Sequence, residues 1–231
     1  MLFRSLGPNF SWETPVWLDG RIDNGSLKGN LVIQGQGAPS LVLERLWLLL
    51  NKVRGLGVLT IDGDIVVDHS AFAIQSKDPG AFDGEPLRPY NAAPQALLIN
   101  FRSVALTFTP DAAAGVARVQ MDPPLWGVRL PASVPLARNG NACVDYRAAL
   151  RADFSDPLSI QLNGGFPASC GEKVWPIAYA EPDSYNARAI EGLWRSMGGR
   201  LSGQVRSGSA PDQPPSFVWS SPPLGAVVRD I

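Results

Sequence analysis

Apolar and polar positions alternate from Gly20 to Ile33, as in Ser26-Leu27-Lys28-Gly29-Asn30-Leu31-Val32-Ile33, with Asn24-Gly25 dividing the stretch. Successive residues of a strand face opposite sides, and Asn-Gly accepts the positive φ angles of a two-residue primed turn, so the pattern predicts a β-hairpin. The period then changes: Leu43, Leu46, Trp47, Leu50 and Val53 share one helical face, with Ser40 as the expected N-cap and Gly55 or Gly57 as the stop. Val58 to Val67 returns to strand spacing, broken at Asp62-Gly63. The first third reads as hairpin, helix and strand, an α+β layer in which the helix covers one sheet face.

From Ala96 onward β-branched and aromatic runs dominate. Leu97 to Phe101, Val104 to Thr109, Val116 to Gln120, Val128 to Leu130, Tyr146 to Phe154 and Ser159 to Leu162 are predicted strands of a small all-β unit. After Trp175-Pro176, Asp183-Ser184 is the expected cap of a helix carrying Tyr185, Ala189, Ile190, Leu193, Trp194 and Met197, closed by Gly198-Gly199. Ser207 to Ser216 reads as a loop or linker. At the ends, Leu2, Phe3 and Leu6 share a helical face that stops at Gly7-Pro8, and Pro222-Pro223 opens a helix with Leu224, Val227, Val228 and Ile231 on one stripe. Neither helix carries a cap at its outer end, which suggests a segment of a longer protein.

Composition narrows the function classes. Lys plus Arg 20 against Asp plus Glu 21 gives a net charge of −1, so no basic field favours nucleic acid or anionic lipid. No apolar run approaches the roughly 18 residues of a bilayer span, so no transmembrane segment is expected. Gly 23 and Pro 21 among 231 residues fit a chain of strands and turns. Cys143 and Cys170 suit a structural disulfide of an oxidising compartment, with two unpaired buried thiols as the alternative.

Little of the sequence carries catalytic chemistry. The single histidine, His69, lies between Asp68 and Ser70 after a strand, as a solvated turn residue would; it cannot build a His-based metal site, and no Gly-x-Ser-x-Gly elbow accompanies it. Gly35-Gln36-Gly37-Ala38-Pro39 lacks the lysine of a phosphate loop. No metal and no cofactor is expected. Asp62 and Asp64 flank a turn glycine. None of Lys28, Lys52, Lys77 and Lys173 has a serine three residues before it or Thr-Gly after it, which penicillin-recognising serine enzymes require. Ser184-Tyr185-Asn186 matches Ser-x-Asn only as a helix-capping serine. Catalytic residues are therefore assigned to none of these positions. Glu85 stands out in the polar loop Phe82-Asp83-Gly84-Glu85-Pro86-Leu87-Arg88-Pro89-Tyr90, where an acid beside an aromatic could hold a ligand ammonium.

Several phrases taken together carry a resemblance. Leu6-Gly7-Pro8-Asn9-Phe10-Ser11-Trp12, Gly25-Ser26-Leu27-Lys28-Gly29-Asn30-Leu31-Val32, Gly63-Asp64-Ile65-Val66-Val67-Asp68-His69-Ser70-Ala71-Phe72, Tyr90-Asn91-Ala92-Ala93-Pro94 and Ser221-Pro222-Pro223-Leu224-Gly225-Ala226-Val227-Val228-Arg229-Asp230-Ile231 occur in order over essentially the whole chain. They resemble the three-domain D-alanyl-D-alanine carboxypeptidase/endopeptidases, the class C low-molecular-mass penicillin-binding proteins. The resemblance implies an α+β fold, mostly antiparallel β, in which an α+β insert carries a nested all-β domain between stubs of a transpeptidase-like domain. Residues 1–16 and 207–231 would be the stubs, 17–94 with 179–206 the first insert, and 95–178 the second.

The same resemblance implies a periplasmic serine-type enzyme that hydrolyses peptidoglycan stem peptides through an acyl-enzyme and binds β-lactams. Its Ser-x-x-Lys would precede Met1, and its Ser-x-Asn and Lys-Thr-Gly would follow Ile231, so this chain alone is expected to be inactive. The secretory signal, which Met1 to Pro8 does not resemble, would likewise lie upstream. Glu85 and Tyr90 would approach the side-chain ammonium of the stem peptide, with Glu standing where the family pattern has Asp. Cys143 and Cys170 would form a periplasmic disulfide. A non-catalytic envelope module that binds cell-wall peptide or a protein partner is the alternative.

Overall fold

The computed structural model describes residues 5–73, 78–137, 143 and 145–229. The chain forms two compact units, one of residues 1–77, 93–101 and 190–231, the other of 78–92 and 102–189. Mixed α+β structure, rich in sheet, fills both.

In the first unit the predicted hairpin is present as β1 (Glu13–Asp23) and β2 (Ser26–Gln34), joined at Asn24 (φ 47) and Gly25 (φ 79). It is longer than the alternation suggested, because Glu13 to Asp19 continues β1 backwards. The register places Val16 against Ile33 and Gly20 against Gly29. Strands β3 (Thr60–Ile61) and β4 (Ile65–Asp68) are separated at Asp62-Gly63, as the sequence indicated, and both lie parallel to β2. The sheet is completed by β12 (Arg200–Leu201) beside β3, β13 (Val205–Ser207) beside β4, and β14 (Phe217–Ser220) antiparallel to β1.

Helix α1 (Leu43–Gly55) buries Leu46, Leu49, Leu50 and Val53, an i, i+3, i+4, i+7 stripe. Trp47, expected on that stripe, is 43% exposed. Ser40 is not the cap: Val42 holds the N-cap position without a side-chain hydrogen bond, and the buried Ser40 hydroxyl finds no protein partner among the described residues.

Leu97 to Phe101 is not a strand. Ala96, Leu97 and Ile99 are buried, but Asn100, Phe101 and Arg102 take φ values of 44, 52 and 50, which no extended chain tolerates. The segment instead lies against residues 35–41, with Gly37 N–H donating to Ala96 O at 2.7 Å and Asn100 N–H to Leu41 O at 3.0 Å. A Cβ on Gly35 would sit 2.4 Å from the Ala96 carbonyl carbon, so this glycine serves a close backbone approach rather than a phosphate.

The second unit holds β5 (Ser103–Asp111), β6 (Val116–Asp122), β7 (Ser133–Ala137), β10 (Phe166–Pro167) and β11 (Lys173–Ala178) in the order β10-β7-β6-β5-β11. Short strands β8 (Ala152–Asp153) and β9 (Gln161–Leu162) pair separately. Val128 to Leu130 contributes only an isolated bridge from Arg129 to Ser159. Tyr146 to Leu150, predicted as strand, is helix α2: Asp145 caps it by accepting from Ala148 N–H at 3.1 Å, and Arg151 closes it at φ 48. Tyr146 and Leu150 are four residues apart, so one buried helical face satisfies them as well as a strand would. Phe166 stacks on Phe108 at 5.5 Å and meets Tyr146 edge-on at 6.0 Å in this core.

Cys143 and Cys170 form the expected disulfide, with Cα atoms 5.1 Å apart, joining the segment before α2 to the turn after β10. Helix α3 (Pro182–Ser196) begins one residue before the expected cap. Ser184 sits in its first turn, where its hydroxyl donates to Glu181 O and accepts from Arg188 Nε at 3.0 Å. The C-terminal helix α4 (Leu224–Arg229) is present; Leu2, Phe3 and Ile231 of the two end stripes lie outside the described residues.

Candidate functional site

The polar loop of the second unit is organised by Asp83. This residue opens an Asx-type turn: its Oδ1 accepts the Glu85 N–H at 2.9 Å and the Asn91 side-chain amide at 2.8 Å, while Oδ2 accepts the Tyr90 hydroxyl at 2.7 Å. Pro89 then starts a single 3₁₀ turn to Asn91, whose amide also donates to Glu85 O at 3.0 Å. The loop is fastened to β11 where Ala178 N–H donates to Leu87 O at 2.8 Å.

Within this frame Glu85 and Tyr90 have separate partners. Glu85 Oε2 pairs with Arg88 Nε at 2.7 Å, one helical turn on, and Tyr90 is tied to Asp83 while remaining 69% exposed. The Tyr90 hydrogen bond, followed by that from Glu85 N–H, holds the Asp83 carboxyl below its usual range. The same bond raises the Tyr90 phenol, and Glu85 raises the Arg88 guanidinium. In the sequence Asp83 stands out only as a close carboxylate partner of Glu85; the Asp-Gly step after it is the signal of the turn that it organises. Glu85 thus already pairs with one cation, Arg88, while the Tyr90 hydroxyl is taken up by Asp83.

A cavity of about 290 Å³ opens beside the loop, lined by Glu85, Arg88, Arg147, Phe154 and Trp175 among others, all in the second unit. Arg147, from α2, lies with its guanidinium 5.4 Å from the Trp175 ring centre, and Phe154 meets Trp175 edge-on at 5.6 Å.

The remaining acidic candidates are structural. Asp62 pairs with Lys28 at 2.6 Å and Asp64 with Arg206, and each partner's hydrogen bond holds its carboxyl down. His69 is half-buried beside Gln95, with Nε2 3.4 Å from the Gln95 side-chain nitrogen, so it is less solvated than its sequence position implied. Among the described residues no group of three or more His, Cys, Asp or Glu is placed to hold a metal ion, and no helix is long and apolar enough to cross a membrane.

Comparison with known proteins places the fold. The sequence model of the family described as D-Ala-D-Ala carboxypeptidase 3 (S13) matches residues 1–231. The chain is 25% identical over 214 residues to the D-alanyl-D-alanine carboxypeptidase DacB of Haemophilus influenzae, covering 90% of this chain and 43% of that protein. It thus spans less than half the length of this curated relative. The crystal structure of penicillin binding protein 4 (dacB) from Haemophilus influenzae superposes with a TM-score of 0.67 at 23% identity, covering 99% of this chain and 50% of that one. The same protein complexed with a novel β-lactam superposes with a TM-score of 0.58 at 22% identity, over 99% and 48%.

Proposed function

The chain belongs to the D-Ala-D-Ala carboxypeptidase 3 (S13) family, and from that premise we propose that it forms part of a periplasmic serine-type enzyme acting on peptidoglycan stem peptides. In the whole protein a lysine-activated serine attacks the carbonyl preceding D-Ala, the amine leaves, and water hydrolyses the acyl-enzyme, at D-Ala-D-Ala ends or at crosslinks. β-Lactams acylate the same serine. The observation that carries the reading is the family match along all 231 residues in register with the fold. The Cys143–Cys170 disulfide supports an oxidising compartment such as the periplasm.

In this reading residues 17–94 with 179–206 are the first insert, 95–178 the second, and 1–16 and 207–231 belong to the transpeptidase-like domain. Glu85 and Tyr90 receive the side-chain ammonium of the stem peptide. The exposed Glu85–Arg88 pair contributes little to stability, so an incoming ammonium displaces Arg88 at small cost. Titration with a stem peptide carrying a free side-chain amine tests this role. Glu85→Ala abolishes the binding if the assignment is right, and unchanged binding overturns it.

No lysine of the chain follows a serine at the spacing acylation needs, so the chain by itself forms no acyl-enzyme. Incubation with a labelled penicillin leaves its mass unchanged, whereas a stoichiometric adduct at a serine overturns this part.

A further inference from the structure

Beside the acidic loop, the second unit offers a cation on an aromatic floor that has no carboxylate partner among the described residues. We propose that Arg147, Trp175 and Phe154 form a carboxylate-binding subsite that takes the free carboxyl group of a short peptide, with the aliphatic part of the ligand lying on the indole.

Three observations support it. First, Arg147 is half-buried, and among the described residues no carboxylate pairs with it. Its neighbour Asp145 is committed to the helix cap, and Glu85 to Arg88. A ligand carboxylate would give this guanidinium the charge-assisted partner that no described residue supplies. Second, Arg147 is held in place. Tyr146 beside it is buried and donates its hydroxyl to Val174 O at 3.3 Å, while the guanidinium lies over Trp175. Its Nε donates to the Tyr146 hydroxyl at 3.5 Å, which leaves the two terminal nitrogens for a two-pronged bond to a carboxylate. Third, the space fits. About 290 Å³ falls just under the roughly 300–1,000 Å³ range of ligand pockets, the scale of a blocked dipeptide or one sugar ring. The ionic lining sums to one positive charge, from Arg88 and Arg147 against Glu85, which matches a monoanion.

A carboxylate with a small alkyl or ring body is the shared chemistry, supplied by a peptide C-terminus or by an acidic amino sugar. The choice of a peptide rests on the proposed function; the choice of a carboxylate does not.

The test is a titration of the full chain followed by the indole N–H resonance of Trp175, assigned with Trp175→Phe. The probes are N-acetyl-D-alanyl-D-alanine, its C-terminal amide and N-acetylmuramic acid. None carries an ammonium, so the outcome is separate from that at Glu85. The free acid shifts the Trp175 signal, and the amide binds about tenfold more weakly. Arg147→Gln loses about the same factor, and Arg147→Lys, which keeps the charge but not the fork, recovers part of it. Binding of the muramic acid in preference to the dipeptide keeps the carboxylate subsite and assigns its ligand to the glycan. Equal binding of acid and amide, full binding to Arg147→Gln, or no shift with any probe at millimolar concentration overturns it.

Discussion

Asp68 Oδ2, at the end of β4, accepts the Ala210 backbone N–H at 2.8 Å, joining two segments 142 residues apart in sequence. The carboxylate is 2% exposed and also receives the Ser70 N–H at 2.8 Å and the Gln34 side-chain amide at 2.9 Å. Burial alone pushes its pKa up; the hydrogen bonds from Ser70, Ala210 and Gln34 outweigh it and bring the value down to about 2.

A carboxyl depressed in the folded state stabilises the fold above its ordinary pKa, and that stabilisation fades as pH falls through the folded value. For Asp68 the loss runs from about pH 4 to about pH 2 and amounts to about 2 kcal/mol. Asp68→Asn places an amide donor where one of three donors now points, and costs about 1–3 kcal/mol at pH 7. Urea midpoints at pH 7 and pH 3 check both statements: wild type and variant converge on acidification. A gap that stays constant with pH refutes the electrostatic account.

The same neighbourhood shows what the sequence discloses and what it conceals. Asn24-Gly25 and the flanking alternation reveal the hairpin because turn and strand preferences are local. Ser207 to Ser216, rich in Ser, Pro, Asp and Gln, looks like a free linker, yet Ala210 packs on the cluster of Trp17, Val32 and Val66, and Gln213 O accepts the Trp17 indole N–H at 2.8 Å. Those partners lie between 144 residues (Ala210 to Val66) and 196 residues (Gln213 to Trp17) away, beyond any local signal. Tyr146 to Leu150 fails for a different reason, since two apolar residues four apart suit a helix or a strand, and only Asp145 at the cap decides. At the candidate site the loop composition exposes Glu85 and Tyr90, whereas the pairing of Tyr90 with Asp83 and the stacking of Arg147 on Trp175 depend on how the loop and α2 meet β11.

Helix caps can be separated by stability. Ser40→Ala leaves stability within about 0.5 kcal/mol, because the hydroxyl bonds to no helix N–H, while Asp145→Ala costs about 1 kcal/mol through the lost bond to Ala148 N–H. Thermal melts of the two variants decide it. A loss of about 1 kcal/mol in Ser40→Ala would restore Ser40 as the cap.

The disulfide closes a loop between residues 27 apart, which by the chain-entropy relation stabilises the fold by about 3–4 kcal/mol. Reduction, or the paired Cys143→Ala and Cys170→Ala substitution, lowers the unfolding midpoint accordingly in calorimetry. A reduced chain that melts with the oxidised one shows that the bond contributes nothing to the fold.

Gly29 faces Gly20 across the hairpin, and a Cβ at Gly29 would lie 1.9 Å from Asp19 O, a backbone atom that cannot rotate away. Gly29→Ala therefore forces β1 and β2 apart at the centre of the longest ladder in the sheet and costs about 3 kcal/mol or more. Gly55 supplies the contrast. It ends α1 with nothing within 4 Å of its would-be Cβ, so Gly55→Ala is neutral or stabilises by up to about 1 kcal/mol through helix propensity. Denaturant midpoints of the two variants should move in opposite directions, or the second not at all. A tolerated Gly29→Ala would mean that the hairpin relaxes around the methyl group, and that the Gly20–Gly29 approach is not what fixes glycine at this position.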